Sequence, residues 1–253
     1  MPNNLIKKIL HLYPRQDKNM IFKSGREGYW SNLSKQENNK FEKILENDGT
    51  KKAVESVIPQ FKDMIYSEKR EAALELLDHK NPGVCIDFGC MWGVLSVGMA
   101  KRGHDVISID QTYQSLLFLK KRADEDCLNN IHIVQDDIKK TNFTDVADYA
   151  IVNGVLEWIP ILEDVEVENF YEKSLYSSDK DAEMPGDMQK QFLKTVYSSL
   201  KEEGEMMLAI ENRHSHQYYM GTKDPHANLL CTTFLPRPLS NFISKIFHNK
   251  SYR

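Results

Sequence analysis

Residues 84–110, VCIDFGCMWGVLSVGMAKRGHDVISID, decide the fold of this chain. A short apolar run reaches Asp87, a turn contains Gly89 and Gly93, and an apolar helical segment leads to a second apolar run that ends at Asp110. This order is typical of a strand, a glycine turn, a helix and a second strand. Glycine suits such a turn because the backbone must bend sharply and lie close to a bound ligand, where a Cβ would occupy the ligand's volume.

The same alternation continues after this first unit. Segments with helical spacing of apolar residues separate five short apolar runs, VCIDF, DVISID, IHIVQ, ADYAIVN and EMMLAIE. Strands that alternate with crossover helices form a parallel sheet, because each helix returns the chain to the edge where the next strand begins. The sequence therefore predicts an α/β fold with a doubly wound, mostly parallel sheet.

Two acidic residues of the first unit indicate the charge of the ligand. Asp110, at the end of the second predicted strand, is placed to accept hydrogen bonds from two ribose hydroxyls. Asp87 stands just before the glycine turn, where a carboxylate would repel the pyrophosphate of a dinucleotide. A nucleoside cofactor with positive charge fits this acid better. A nicotinamide-dependent (NAD) oxidoreductase stays as the alternative hypothesis, because its fold has the same order of strand, glycine turn and helix.

The segment VCIDFGCMWG resembles motif I of class I, Rossmann-like S-adenosylmethionine-dependent methyltransferases, commonly D-x-G-x-G-x-G, with Met91 at the position of the middle glycine. VQDDI is similar to the third motif of that family, and DYAIVNGVLEWIP resembles the segment after its fourth strand. The resemblance covers roughly residues 70–211 and implies methyl transfer with S-adenosyl-L-methionine as cofactor. A degenerate, non-catalytic module of the same family is a further alternative, because Met91 departs from the motif.

The resemblance also implies which residues form the cofactor site. Asp110 is expected to bind the ribose, and Asp136 or Asp137 to face the adenine. Acidic residues are frequent in this set, which suits the sulfonium and ammonium groups of the cofactor. The predicted cofactor site consists of Asp87, Gly89, Cys90, Gly93, Asp110, Gln111, Asp136 and Asp137.

The catalytic candidates follow the fourth predicted strand. The resemblance implies that Asn153 lies at the catalytic rim, and Glu157 comes shortly after it at the carboxyl edge, where open α/β sheets bind ligands. A sulfonium is a good leaving group, so the protein chiefly aligns the acceptor and removes its proton when the acceptor is a hydroxyl. We predict Glu157 as the general base ahead of Glu211, although either can also cap a helix or pair with Arg213.

Three histidines offer a metal site as another alternative. His214, His216 and His226 include an H-x-H pair, and a divalent cation can lower the pKa of an acceptor hydroxyl. Such spacing is common among surface histidines, which usually bind no metal. We therefore predict that the site contains no metal.

The pattern along the chain predicts three regions. Residues 1–80 are expected to form a helical extension, residues 81–230 the methyltransferase domain, and residues 231–253 an amphipathic tail. The extension ends in a predicted helix with an apolar stripe of Ala72, Ala73, Leu76 and Leu77. Residues 157–187 are an acidic insertion with ten Asp or Glu against two Lys, expected to be a solvated surface segment, with a lid over the active site as the alternative.

The carboxyl-terminal part predicts a helix and an unfinished sheet. One face of the helix carries Leu239, Phe242, Ile243, Ile246 and Phe247. We expect this helix to pack on the domain, with contact to an anionic membrane surface as the alternative. No pair of alternating runs follows Glu211, so the sheet is expected to have an incomplete edge, covered by a partner chain or an atypical tail.

Composition and charge limit the acceptor and the location. The chain has 37 Asp or Glu against 33 Lys or Arg, a net charge of −4, which gives no general attraction to nucleic acid. No apolar run approaches the roughly 20 residues of a membrane span, and the four cysteines form no C-x-x-C pair, so we expect a cytoplasmic location. We expect the acceptor to be a hydroxyl of a small molecule or a saccharide. The segment IENRHSHQYYMGTKDPHANL looks like a tail segment of methyltransferases encoded with enzymes of surface-polysaccharide assembly, which implies glycan modification.

Overall fold

The computed structural model contains a mixed sheet with helices packed against it, and it describes residues 4–13, 15–24, 33–79, 81–160, 185–224 and 229–248. The strands are β1 (Arg15–Gln16), β2 (Phe22–Lys23), β3 (Val84–Phe88), β4 (Asp105–Asp110), β5 (Ile131–Gln135), β6 (Ala147–Asn153) and β7 (Leu200–Ala209). The α-helices are α1 (Asn4–Leu10), α2 (Lys35–Val57), α3 (Lys62–Tyr66), α4 (Val94–Lys101), α5 (Tyr113–Glu125), α6 (Pro185–Ser199), α7 (His216–Tyr219) and α8 (Arg237–His248). Short 3₁₀ helices span Pro59–Phe61, Glu71–Leu76 and Ile138–Lys140.

The chain divides into two compact units. The first comprises Met1–Asn153 and Lys194–Leu208, and it contains the sheet up to Leu208 together with α1 to α5. The second comprises Gly154–Leu193 and Ala209–Arg253, and it contains α7 and α8. Among the described residues, no helix has both the length and the apolar character needed to cross a bilayer.

The strand order in the described part of the chain is β1-β2-β5-β4-β3-β6-β7. The pairs β2–β5, β5–β4, β4–β3 and β3–β6 are parallel, and β1 alone is antiparallel to its neighbour β2. Hydrogen bonds join Val146 N to Ser199 O (3.0 Å) at the start of β6 and β7, and Gly154 N to Ala209 O (2.8 Å) at their ends. Residue numbers thus increase in the same direction along both strands, so β6 and β7 are parallel too. The predicted doubly wound, mostly parallel sheet is confirmed.

The core explains why β3 is a continuous apolar run. All five residues of β3 are buried, as is typical of a parallel strand covered on both faces. Every residue of α4 from Val94 to Ala100 is buried as well, and Leu74 of the 3₁₀ helix packs in one apolar cluster with Leu95 and Met99 of α4 and with residues of the strands. The strand that leads into the glycine turn and the helix that leaves it are therefore both part of the core.

The 3₁₀ helix differs from the predicted α-helical stripe. Leu74 is fully buried and Leu77 nearly so, whereas Leu76, which the stripe included, is 83% exposed. A 3₁₀ helix has three residues per turn, so positions separated by three share one side. Leu74 and Leu77 therefore face the core, and the predicted stripe is wrong at Leu76 and at Ala72, which is exposed too.

The amino-terminal region is helical, as predicted, but it also adds two strands. β1 and β2 extend the sheet beyond β5, with Phe22 opposite Val134. Two-residue strands have no periodic pattern that a sequence can display. α2 bends at Gly49, whose φ of 85° is in the left-handed region, and the Glu125 carboxylate accepts hydrogen bonds there from the N–H (3.0 Å) and hydroxyl (2.5 Å) of Thr50.

The carboxyl-terminal part ends in β7 and the predicted helix. No strand follows β7 in the part of the chain that the structure describes, and Met206 and Leu208 of β7 are each 40% exposed. α8 forms as predicted, but of its predicted apolar face only Ile243 is half-buried, while Ser240 and Ser244 are the buried positions of the helix. Residues 161–184, most of the acidic insertion, lie outside the described residues.

Candidate functional site

The strand register brings most of the predicted site residues to one edge of the sheet. Phe88 is opposite both Val152 and Ile109, so Gly89 follows β3 beside Asn153 and Asp110, the last residues of β6 and β4. The strand order reverses at β3, which has β4 on one side and β6 on the other. In open α/β sheets, ligands bind outside the carboxyl ends of the strands at such a switch point.

The turn after β3 is held by the end of β4. The backbone N–H groups of Gly89 (2.8 Å) and Cys90 (3.0 Å) both donate to the carbonyl oxygen of Ile109. The next N–H, that of Met91, donates to Oδ2 of Asp110 at 2.9 Å. Three consecutive amides are thus tied to the neighbouring strand, and the path of the turn is fixed by tertiary contacts.

Met91 follows the backbone path that a glycine would take. Its φ is 47°, and the flanking Gly89 and Gly93 have φ values of 75° and 69°, so three positions of the turn are in the left-handed region. That region costs a side-chain-bearing residue roughly 1 kcal/mol. The departure from the family motif at Met91 therefore leaves the shape of the turn intact.

Gly93 is required by packing with a neighbouring helix. A Cβ on Gly93 would lie 2.2 Å from Cδ1 of Leu119 in α5, closer than any non-bonded carbon pair allows. The sequence predicted instead that a ligand occupies the space beside this glycine. The structure shows that Leu119 occupies the space, so Gly93 serves the close approach of α4 and α5.

Asp110 is hydrogen-bonded through both oxygens of its carboxylate. Its Oδ2 accepts from the Met91 N–H, and its Oδ1 accepts from the Thr112 N–H at 2.8 Å. Burial raises the pKa of Asp110, while the bonds from the Thr112 and Met91 amides, the Thr112 side chain and the Gln111 backbone act in the opposite direction. The predicted contact of Asp110 with the ribose stays a prediction.

Asp87 is a buried acid in a chain of hydroxyls. The Ser96 hydroxyl donates to its Oδ2 at 2.6 Å, and the Ser108 hydroxyl donates to Oγ of Ser96 at 2.8 Å. Burial chiefly, and repulsion from Asp110 to a smaller extent, raise the pKa of Asp87 to about 7, against the lowering effect of the Ser96 bond. A cation bound nearby would favour the ionised form of both acids.

Cys90 and Gln111 support the site in different ways. The Cys90 side chain is buried, and this burial, with Asp110 and Asp87 nearby, raises the pKa of its thiol well above the ordinary value. Cys90 is therefore a neutral packing group and no nucleophile. The backbone carbonyl of Gln111 accepts a hydrogen bond from the Gln135 side chain at 3.0 Å, which ties the start of α5 to the end of β5.

The two acids after β5 have separate tasks. Asp136 accepts from the Ser24 hydroxyl (2.6 Å), the Tyr13 hydroxyl (3.1 Å) and the Asp137 N–H (2.8 Å). Asp137 caps the 3₁₀ helix that follows, through the Lys139 N–H at 3.0 Å. Both acids are buried, and their predicted contact with adenine stays a prediction.

The amino-terminal segment contributes side chains that the sequence analysis did not single out. Besides Tyr13 and Ser24 at Asp136, Tyr113 donates to Oδ2 of Asp17 (2.9 Å), and its hydroxyl accepts from the Asn19 amide (2.9 Å). About a hundred residues separate these partners in the chain, so no local pattern indicates them. β2 brings them to the sheet edge that carries the predicted cofactor site.

The catalytic candidates belong to different units. Asn153 ends β6 in the first unit, whereas Glu157 belongs to the second, where its Oε1 would lie 3.9 Å from a Cβ on Gly154. Both carboxylate oxygens of Glu157 are buried. The structure therefore brings Glu157 close to the residue that follows Asn153, and its role as a base stays a prediction.

Glu211, the other candidate for the general base, and Arg213 have different hydrogen-bond partners. Glu211 accepts from the Tyr218 hydroxyl at 3.4 Å, and burial first, then Glu211, raises the pKa of Tyr218 to about 12. Arg213 donates to the carbonyl oxygens of Thr233 (2.8 Å) and Leu235 (3.0 Å). Arg213 thus organises the backbone that leads into α8.

The alternative of a metal site at the three histidines has little support in the described residues. Nδ1 of His214 lies 3.4 Å from the Tyr219 hydroxyl, and His226 lies outside the described residues. Within the described ranges, no three His, Cys, Asp or Glu side chains gather in a way that could hold a metal ion.

The comparisons with known proteins agree with the motif order. Residues 79–234, more than half of the chain, match the family model described as a methyltransferase domain. No curated protein matches the chain.

Solved structures with a similar fold include three methyltransferase-type proteins. A candidate S-adenosyl-L-methionine-dependent methyltransferase from Methanococcus maripaludis is 19% identical, with a TM-score of 0.43, over 72% of this chain and 67% of that one. An S-adenosylmethionine-dependent methyltransferase from Aquifex aeolicus is 12% identical, with a TM-score of 0.46, over 74% and 86%. TYW2 of M. jannaschii, solved with S-adenosylmethionine, is 18% identical, with a TM-score of 0.35, over 53% and 47%. All three scores are below 0.5, so the family assignment rests on the sequence match.

Proposed function

This chain belongs to the methyltransferase domain family, and we propose that it methylates a hydroxyl of a small molecule or a saccharide. Its cofactor is S-adenosyl-L-methionine, which supplies a methyl group on a sulfonium leaving group when bound. The observation that carries the proposal is the pair of acids at the switch point of the sheet, the buried Asp87 and the half-buried Asp110. A cationic ligand stabilises the ionised form of such carboxylates, whereas a pyrophosphate would be repelled by it, which makes the NAD alternative weaker.

The residues of the first unit support binding and orientation of the cofactor. Asp110 is the proposed acceptor for the ribose hydroxyls, and it also holds the Met91 amide. Asp87 contributes negative charge that a cation would stabilise in its ionised form. Asp136, held by Tyr13 and Ser24, and Asp137 are the proposed adenine-side contacts.

We propose Glu157 as the base that accepts the proton of the acceptor hydroxyl, and Asn153 as a residue at the rim that orients the acceptor. Support for Glu157 comes from its buried carboxylate oxygens beside Gly154. A carboxylate is a group that accepts a proton in general base catalysis. Alignment of the acceptor supplies the rest of the rate.

The acceptor class is supported by charge. The net charge of −4 and the acidic residues of the segment 157–187 disfavour a polyanion such as RNA. The similarity of IENRHSHQYYMGTKDPHANL to polysaccharide-associated methyltransferases favours a glycan, and hence the surface-polysaccharide subtype. Cys127 and Cys231 are exposed free thiols, which suits the reducing cytoplasm that we propose as its location.

A radiolabelled methyl-transfer screen tests the acceptor. The full chain is incubated with labelled cofactor and with sugar-nucleotide, glycan, RNA or peptide pools, and label is expected in the sugar or glycan pools. Label that appears only in RNA or peptide would contradict the saccharide proposal. Glu157→Gln is measured in parallel, with Glu202→Gln, an exposed acid of β7, as the matched control. An undiminished rate in Glu157→Gln would exclude Glu157 as the base.

We also propose that a partner chain covers the sheet edge at β7. The support is the partial exposure of Met206 and Leu208 on the last strand in the described part of the sheet. An open strand edge with apolar side chains is a site where another chain adds backbone hydrogen bonds. Sedimentation of the full chain, compared with Leu208→Lys, tests the proposal: a stable complex that the variant loses supports it, and a monomer at all concentrations contradicts it.

A further inference from the structure

Helix α8 has the opposite orientation from an ordinary surface helix. Ser240 and Ser244 are 1% and 0% exposed, and the Ser240 hydroxyl donates to the Thr232 carbonyl oxygen at 2.8 Å. The other side of the helix carries large apolar side chains that are 44 to 69% exposed, namely Leu239, Phe242, Ile246 and Phe247. A helix of a globular protein normally buries its apolar stripe and exposes its polar one. α8 therefore has an exposed apolar face in the part of the chain that the structure describes.

The attachment of α8 keeps this face outward. Arg213 holds the carbonyl oxygens of Thr233 and Leu235, directly before the helix, and Ser240 is bonded to Thr232. The helix is thus fastened by its polar side and by the segment that leads into it. A rotation of α8 that buried the phenylalanines would expose the serines and break these hydrogen bonds. The observed orientation of the helix is therefore stabilised by these specific bonds.

The charge of the surrounding sequence indicates what the face contacts. After Asp224 the chain has no acidic residue, whereas it has four basic ones, Arg237, Lys245, Lys250 and Arg253. Lys245 is exposed and belongs to the helix itself. An exposed lysine on a helix whose exposed face has two phenylalanines, in a segment without acidic residues, is typical of a helix that lies in the interface of an anionic bilayer. At 12 residues and about 18 Å, α8 has a length that suits this position and is too short to span.

We propose that α8 is a docking surface for an anionic lipid membrane, with Leu239, Phe242, Ile246 and Phe247 in the interface and Lys245 at the lipid headgroups. This inference is independent of the proposed methyl acceptor. A second copy of the chain is the competing occupant of such a face. Two copies of α8 would bring like charges together, because the segment after Asp224 has only positive ones, and this disfavours a symmetric contact.

Vesicle co-sedimentation of the full chain tests the proposal. Vesicles of phosphatidylcholine with about one third phosphatidylglycerol are compared with phosphatidylcholine alone. The chain is expected to bind the anionic vesicles at least tenfold more strongly, and added salt is expected to weaken binding. Phe242→Ser with Phe247→Ser is expected to reduce the binding at least tenfold, and Lys245→Glu severalfold. These side chains are largely exposed, so the variants are expected to keep the fold, which far-ultraviolet circular dichroism checks.

Tyr197→Ser is the matched control, because Tyr197 is a 78% exposed aromatic residue on α6, and its binding is expected to equal that of the unmodified chain. Failure of the unmodified chain to bind anionic vesicles would overturn the proposal, as would equal binding by the double phenylalanine variant. Equal binding to both kinds of vesicle would overturn the role of charge. A dimer that the double variant dissociates, without vesicle binding, would identify a second copy as the occupant instead.

Discussion

Oδ2 of Asp110 lies 2.9 Å from the backbone nitrogen of Met91, so the acid that ends β4 also holds the turn that follows β3. The same carboxylate accepts from the Thr112 N–H at the start of α5. One side chain thus fixes the relative position of the turn, the strand and the helix around the predicted ribose site. Its loss is expected to affect both stability and cofactor binding.

Asp110→Ala is expected to weaken binding of S-adenosylhomocysteine and to lower the free energy of unfolding. Hydrogen bonds to a charged group are worth about 1.5–3 kcal/mol each, and the substitution leaves the Met91 and Thr112 amides without their acceptor. Isothermal titration calorimetry measures the first effect, and thermal unfolding the second. Asp110→Asn keeps one carbonyl oxygen, so its cofactor affinity and stability are expected to lie between those of the unmodified chain and those of Asp110→Ala. Binding by Asp110→Ala that equals the unmodified chain would contradict the ribose assignment.

The raised pKa of Asp87 predicts a pH dependence of stability. Its folded-state pKa of about 7 is above the ordinary value of 3.8, so the folded state binds more protons between these values. Stability associated with this group is therefore full at low pH and is lost as pH rises through about 7, at up to roughly 1.4 kcal/mol per pH unit. Asp87→Asn, whose side-chain oxygen can still accept from Ser96, is expected to remove this loss and to be at least as stable at pH 8. A steeper loss in the variant would refute the assignment.

The same acid predicts a pH dependence of cofactor binding, if the cofactor's positive charge lies close to it. A cation favours ionised Asp87, so affinity for S-adenosylmethionine is expected to fall as pH drops below about 7, by up to tenfold per pH unit. S-adenosylhomocysteine has no sulfonium, so it is expected to show a smaller change. Calorimetry at pH 6 and pH 8, with Asp87→Asn as reference, measures the difference. Identical pH profiles for the two ligands would show that Asp87 does not interact with the sulfonium.

The contact between Gly93 and Leu119 predicts a rescue. Gly93→Ala introduces a Cβ 2.2 Å from Cδ1 of Leu119 and puts alanine at a φ of 69°. Overpacking costs about 1–3 kcal/mol, and the left-handed backbone roughly 1 kcal/mol more. Leu119→Ala in the same chain removes the clash, so the double variant is expected to lose less stability than the two single losses combined. Denaturant titration of all four proteins tests this, and simple additivity would show that the two positions do not interact.

The environment of His104, away from the predicted cofactor site, predicts that the stability of the fold is sensitive to acid. The Gly83 N–H donates to Nδ1 of His104 (3.1 Å), and Nε2 of His104 lies 3.0 Å from Nδ1 of His79. Burial first, and then the charge of His79, lower the pKa of His104 from 6.5, with Asp148 opposing and Arg102 adding to the effect. A lowered folded-state pKa means that stability is present above pH 6.5 and is lost as pH falls through the folded value.

The contribution of His104 to the melting temperature is therefore expected to fall as the pH is lowered below 6.5, opposite in sign to the contribution of Asp87, so both variants are made in an Asp87→Asn background. His104→Asn is expected to flatten part of the acid slope in that background. Burial lowers the pKa of His132 too, so His132→Asn is the control that removes the other part. An unchanged slope in His104→Asn would show that His104 contributes nothing to acid sensitivity.

The central strands could be read directly from the sequence. β3, β4, β5 and β6 have the bounds of their apolar runs, VCIDF, DVISID, IHIVQ and ADYAIVN. A strand buried on both faces must be apolar throughout, so the requirement is local and the residues display it. The order of glycines and acids likewise determined the type of unit, because the backbone of a tight turn depends on neighbours in the chain.

The tertiary structure alone decided which side chains meet and which faces are covered. Asp136 meets Tyr13 and Ser24 across more than a hundred residues, through strands too short to have a periodic pattern. The sequence determined that α8 is amphipathic, but its serine side faces inward because Ser240 bonds to Thr232 and Arg213 holds the preceding backbone. Periodicity reports the faces that a helix has, whereas burial depends on the neighbours that the fold brings to each face.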